Sequence, residues 1–200
     1  MASDLPRIPL MRASVIQGNL ADLQRLGPKV VDEVHGQLDL RVVQSIERAG
    51  RISWLPLQLD LELAAAVDNV VGRSERVEWA RTSMLRSLRT PLLEPLWRAA
   101  FRVFGMSPGA LYRAVPPGWG AVYRNVGSVA HTSRPCAAKL VISRLPEVLL
   151  ADLGYLEGMC GTFTALLEIA NVPGTVEVVH VDARRRSIEY AARWGDALDT

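Results

Sequence analysis

Apolar residues recur at helical spacing through the first 118 positions and alternate at strand spacing after them, with one further helix between the strand pairs. Asn19 can cap a helix that ends at Gly27, Pro28 can open the next and Gly36 close it, and Asp39 can cap residues 40–49 before Gly50. Asp60 is placed to cap the very apolar run LELAAAVDNVV before Gly72. From Ser74 onward, Val77, Ala80, Met84 and Leu88 share one face while Arg81, Arg86 and Arg89 fall elsewhere, which predicts an amphipathic helix stopping near Thr90-Pro91. Pro91 then opens a helix with a broad apolar face of Leu93, Leu96, Trp97, Ala100, Phe101 and Phe104. Ser107-Pro108 starts a short helix carrying Leu111 and Tyr112, which Pro116-Pro117-Gly118 is expected to break.

Beyond that point, residues 122–130 and 137–143 read as two strands of a hairpin, with 131–136 as their loop. Residues 155–170 place Leu156, Met159, Phe163, Leu166, Leu167 and Ala170 on one helical face. Gly158 and Gly161 cost that helix about 1 kcal/mol each relative to alanine, a penalty that close approach of another backbone would offset. Residues 176–181 and 187–194 form the closing hairpin, with Ile188, Tyr190, Ala192 and Trp194 alternating on one face. The expected architecture is α+β: an N-terminal helical half, then β-β-α-β-β forming a four-stranded antiparallel sheet packed with helices. One domain over residues 1–200 is expected, divided into a helical part (1–118) and a sheet-containing part (119–200).

Composition narrows the function classes. A hydrophobic fraction of 49% and a charged fraction of 22% are those of an ordinary globular chain. A net charge of +2 gives no field that would draw nucleic acid or an anionic membrane. Neither an export signal nor a membrane span is evident, so a cytoplasmic location without a membrane span is expected. The two cysteines, Cys136 and Cys160, are too few for a disulfide scaffold and lack zinc-site spacing.

The stretch YLEGMCGTFTALLEIANVPGTVEVVHVDARRRSIEYAARWG resembles the C-terminal half of the superfamily that holds haem-NO-binding domains, 4-vinyl-reductase-like domains and TRAPP vesicle-tethering subunits. Upstream, GNLADLQRLGP, SWLPLQLDLELAAAV and RVFGMSPGALYRAVPPGWGAVYR are similar to a myxobacterial-type paralogous family associated with that superfamily. The resemblance implies a ligand-accommodating or protein-docking domain: haem in one branch, small hydrophobic molecules or lipid in others, and subunit interfaces in the tethering branch.

Each candidate residue also has an ordinary structural role. His131 sits in an expected loop and not on the helix where the haem branch places its ligand, and the segment His131-Thr132-Ser133-Arg134 lacks the tyrosine of that branch's Tyr-x-Ser-x-Arg signature. No cofactor and no metal site is therefore expected. His131 and Ser133 are neighbours that rarely reach catalytic geometry, and no GxSxG elbow or phosphate-binding loop exists. Asp60, Glu62, Glu75 and Glu78 fall in first turns of helices, where capping explains them. Arg184, Arg185 and Arg186 read as a solvated hairpin tip. The expectation is a non-enzymatic regulatory or scaffold domain that docks with itself, as a homodimer, or with another protein through Leu93, Trp97, Phe101 and Phe104. The alternative is a sensor or carrier that holds a small hydrophobic ligand against Trp119, Tyr123, Cys160 and Phe163.

Overall fold

The computed structural model describes residues 8–87, 94, 95, 98, 99, 102 and 105–195. The first element among the described residues is a strand, β1 (Leu10–Arg12), which runs straight into α1 (Ala13–Asp22) and a 3-10 turn (Leu23–Leu26). Three elements follow: α2 (Pro28–Gln37), α3 (Leu40–Arg48) and the short strand β2 (Trp54–Pro56). Then come α4 (Gln58–Val71), α5 (Arg73–Ser87) and α6 (Pro108–Val122). The C-terminal part holds β3 (Tyr123–Arg124), β4 (Ser128–Arg134), β5 (Ala137–Ser143), α7 (Glu147–Ala151), α8 (Leu153–Ile169), β6 (Gly174–Asp182) and β7 (Ser187–Trp194).

Strands β4 to β7 make a four-stranded antiparallel sheet in the order β4-β5-β7-β6, as the alternation of Ile188, Tyr190, Ala192 and Trp194 predicts. Those four side chains are buried together with Leu140 and Ile142 of β5. They meet the Leu156, Phe163 and Leu167 side of α8, so the central helix lies on one face of the sheet. Two buried hydroxyls pin the layers: Tyr190 donates to the Leu156 carbonyl at 2.8 Å, and Tyr112 of α6 donates to the Phe163 carbonyl at 3.0 Å. The class is α+β with an antiparallel sheet and helices packed on it.

The packing of α8 against α5 follows from its two glycines. A Cβ at Gly161 would overlap the Val77 carbonyl oxygen of α5, and one at Gly158 would overlap the Arg76 guanidinium. The helices therefore touch backbone to backbone, which is the close approach that the glycine spacing predicts. On α5 the buried positions are Arg76, Trp79, Ser83 and Ser87, one step around from the apolar stripe expected at Val77, Ala80 and Met84. Contacts with glycines of the neighbouring helices, and not hydrophobicity alone, mark this face: Arg76 reaches over Gly158, the α5 backbone lies over Gly161, and Ser87 lies beside Gly18 of α1.

Four local expectations are corrected. Asn19 lies inside α1 and caps nothing. Asp60 lies inside α4 with a fully buried carboxyl and makes tertiary hydrogen bonds, so capping does not explain it. Pro116 and Pro117 do not break α6. Each removes one backbone N–H, but their fixed φ of about −65° is helical, and the buried stripe of Ala110, Leu111, Ala114 and Val115 holds the helix on the core. His131 belongs to β4, paired with Leu140, and the hairpin turns later, at Pro135-Cys136, where Cys136 takes a φ of 59°.

The sequence pattern also missed the small sheet β2-β1-β3. Its strands are too short to show alternation. It is held by the Trp54 ring between two guanidinium groups, Arg12 at 3.7 Å and Arg124 at 4.2 Å from the ring centroid. Of the expected Pro91 helix, the described positions 94, 95, 98, 99 and 102 are helical, and Leu93, Trp97, Phe101 and Phe104 lie outside the described residues. No helix among the described residues is long and apolar enough to cross a membrane.

Candidate functional site

Close contact of α5 with α8 at the glycines, and of α6 with the sheet, leaves a gap where α1, α4, α5, α6 and α8 converge. The gap is a cavity of about 460 Å³, within the range of small-molecule sites. Its walls are mostly apolar: Met11 and Val15, Ala80 and Met84 of α5, Val115 and Trp119 of α6, and Met159, Phe163 and Leu166 of α8. The helical spacing of 159, 163 and 166 puts one edge of α8 on the cavity while Leu156 and Leu167 face the sheet.

One wall is polar. Asp60 of α4 accepts from Asn19 Nδ2 of α1 at 2.9 Å and from the Tyr155 hydroxyl of α8 at 2.6 Å. Tyr123 lines the cavity together with Asn19, Asp60 and Tyr155. Burial pushes the Asp60 carboxyl above the ordinary carboxylate range, and the hydrogen bonds from Tyr155 and Asn19 offset only part of that rise. Burial, with the charge of Asp60 behind it, likewise raises Tyr123 and Tyr155, so both remain phenols. Arg76 lines the cavity too, but its guanidinium is held by the Gly154 carbonyl and by Asp68, whose Oδ1 lies 3.4 Å from Nε. The indole N–H groups of Trp79 and Trp119, both cavity residues, are buried without a hydrogen-bond partner.

The structure brings three of the four ligand-site candidates, Trp119, Tyr123 and Phe163, to this one cavity. Trp119 and Tyr123 stack there with ring centroids 4.2 Å apart. Cys160 does not line it. The thiol sits beside Val178 of β6, and burial pushes it up to about 11, so it is an unreactive thiol on the sheet side of α8. The docking candidates Leu93, Trp97, Phe101 and Phe104 lie outside the described residues. Asn19, Asp60 and Tyr155 were missed as a site because each comes from a different helix. The only sequence signal was an acid inside an apolar run.

The histidines lie elsewhere. His35 is on α2, His180 on β6 and His131 on β4, and none lines the cavity. Contrary to expectation, His131 Nε2 does reach Ser133 Oγ, at 3.3 Å, because positions two apart share a strand face. The pair sits on a largely exposed strand, and neither member lines the cavity. Among the described residues no group of three His, Cys, Asp or Glu could hold a metal ion.

No family model matches the chain, and no curated protein matches it in sequence. Solved structures do match in fold. Against the Fe(II) unliganded H-NOX protein from K. algicida the TM-score is 0.63, over 94% of this chain and 98% of that one, at 10% identity. An H-NOX structure solved to probe the function of heme distortion gives 0.62 over 94% and 96%, at 12% identity. An oxygen-binding H-NOX domain related to soluble guanylate cyclases, as its oxygen complex, gives 0.59 over 94% and 97%, at 10% identity. The fold is thus that of H-NOX domains, the haem-NO-binding fold.

Haem itself can be tested against the residues present. Haem iron is held by His, Cys or Tyr, or by Met together with His. The cavity presents no histidine or cysteine, its methionines therefore have no histidine to act with, and its two tyrosines are phenols that burial keeps protonated. This set does not fit a ligated haem.

Proposed function

We propose that the chain is a non-enzymatic sensor or carrier domain that has kept the haem-NO-binding fold and takes a small, largely apolar molecule in place of haem. The observation that carries the reading is the cavity itself: about 460 Å³, walled by apolar side chains, with one polar cluster on a single wall. That layout suits a ligand bound by burial and oriented by a few hydrogen bonds. Two buried indole N–H groups left without partners beside the cavity support it further, since such groups ordinarily find a partner. A cytoplasmic home and self-association remain part of the proposal. Kinship with the tethering and 4-vinyl-reductase-like branches, and with the myxobacterial-type family, rests on the sequence resemblance.

The test has two arms on the recombinant protein. Native mass spectrometry is expected to show a co-purified organic molecule, or binding of an added apolar compound at one per chain. Addition of haemin is expected to give the spectrum of free haemin. A sharp ligated-haem band that survives gel filtration would reject the replacement of haem, and failure of every apolar compound to bind would reject the ligand site.

A further inference from the structure

We propose that the cavity selects a ligand carrying a carbonyl-type oxygen, with the indole N–H groups of Trp79 and Trp119 as the fixed donors that receive it. This deepens the ligand-binding reading and rests on it.

The polar inventory of the cavity carries the argument. Asn19 and Tyr155 each spend a donor on Asp60, and each Asp60 oxygen receives one. The hydroxyls of Ser87, Tyr123 and Thr162 also line the cavity, but a hydroxyl rotates and serves as donor or acceptor. Among the described residues that line the cavity, the buried side-chain nitrogens and oxygens left without a hydrogen bond are all N–H donors: Trp79 Nε1, Trp119 Nε1 and Arg76 Nε. Arg76 Nε already stands 3.4 Å from Asp68 Oδ1, and its guanidinium is held by the Gly154 carbonyl, so the two indoles are the donors still uncommitted. Packing restrains both rings. Trp79 of α5 is only 5% exposed, and Trp119 of α6 stacks on Tyr123 with centroids 4.2 Å apart.

An indole nitrogen donates and cannot accept. A hydrocarbon filling the cavity would exclude water and leave both donors bare, which is costly for a buried N–H. An ammonium group would set its own protons against them. A ketone, aldehyde or ester oxygen brings two lone pairs and no proton to place, so it answers both donors at the expense of neither.

Menthone and its parent hydrocarbon p-menthane share a skeleton and differ at one carbonyl, and both are volatile. Headspace analysis of each compound over the protein solution therefore gives both affinities, and their ratio is independent of cavity size. Trp79→Phe and Trp119→Phe each remove an indole donor, and each should lower the menthone-to-menthane affinity ratio about fivefold, the worth of one buried hydrogen bond. A ratio that falls in one variant alone assigns the oxygen to that indole. A second measurement needs no variant to fold: among the five tryptophan indole N–H resonances of the labelled wild type, menthone should move at least one downfield, as a new hydrogen bond does, and p-menthane none. A ratio unchanged in both folded variants, or indole resonances that respond alike to the two compounds, would overturn the selection while leaving the cavity as a ligand site. Binding of neither compound by folded protein would overturn both.

Discussion

Replacing Gly161 by alanine adds one methyl group at the closest contact between α5 and α8. That methyl would overlap the Val77 carbonyl oxygen and stand 3.0 Å from the Val77 carbonyl carbon and 3.1 Å from the Arg81 nitrogen. All three are backbone atoms of a helix, so no rotamer change relieves the clash, and α5 must move as a body. Helix propensity favours alanine by about 1 kcal/mol, whereas overpacking of this kind costs roughly 1–3 kcal/mol. With backbone as the obstacle the upper half of that range applies, and Gly161→Ala should destabilise by about 1–2 kcal/mol net. At a urea slope of about 2 kcal/mol per molar, the midpoint should fall by roughly 0.5–1 M, read by intrinsic tryptophan fluorescence. Gly36 of α2 is the control, because a Cβ there meets nothing within 4 Å and its φ is not positive. Gly36→Ala should leave the midpoint unchanged or raise it slightly. A Gly161→Ala midpoint equal to or above the wild type would refute the account of how α5 and α8 pack.

Further outcomes follow from the same geometry. Because the folded state raises the Asp60 pKa, the native protein binds this proton more tightly than the unfolded chain. The stability it contributes is complete below the ordinary carboxylate value of 3.8 and is lost as pH rises through the raised one, so Asp60→Asn should flatten this part of the profile of urea midpoint against pH. A slope that Asp60→Asn leaves intact would assign it to another group. Tyr112→Phe and Tyr190→Phe each remove one buried hydroxyl from an α8 carbonyl, and each should cost about 0.5–1.5 kcal/mol in denaturation. Ala80→Phe, which projects a ring into the cavity, should abolish binding of menthone, a small apolar ketone used as the probe, without lowering the thermal midpoint by more than a few degrees. Menthone affinity unchanged in that variant would move the site elsewhere.

The C-terminal half was legible because its elements obey single periods. Strand β7 alternates cleanly, and α8 carries its apolar residues at 156, 159, 163, 166 and 167 with two glycines where another helix approaches. The order of helices and hairpins, together with the resemblance of that stretch, led to the fold that the H-NOX comparisons share. Errors fell where tertiary contact overrides local signals. Pro116 and Pro117 look like a stop, yet their helix is fixed by burial. The buried face of α5, with Arg76 over Gly158 and Ser87 beside Gly18, is set by its glycine-bearing neighbours, so the apolar stripe misplaced it.

The site was half legible for the same reason. Large aromatics such as Trp119, Tyr123 and Phe163 stand out in a sequence as residues that wall either a core or a pocket. Asn19, Asp60 and Tyr155 meet only because three helices converge, and Asp60 at a helix start imitates a cap. An acid in the first turn beside the apolar run of residues 63–67 is the pattern that could have marked it, since burial of that face takes the acid with it.

The central claim is that the gap between α5, α6 and α8 takes a small apolar molecule, and a crystal structure of the protein with menthone tests it most directly. The account predicts one menthone enclosed by Trp119, Met159 and Phe163. A structure with that gap closed by side chains, or with menthone bound only on the outer surface, would contradict it.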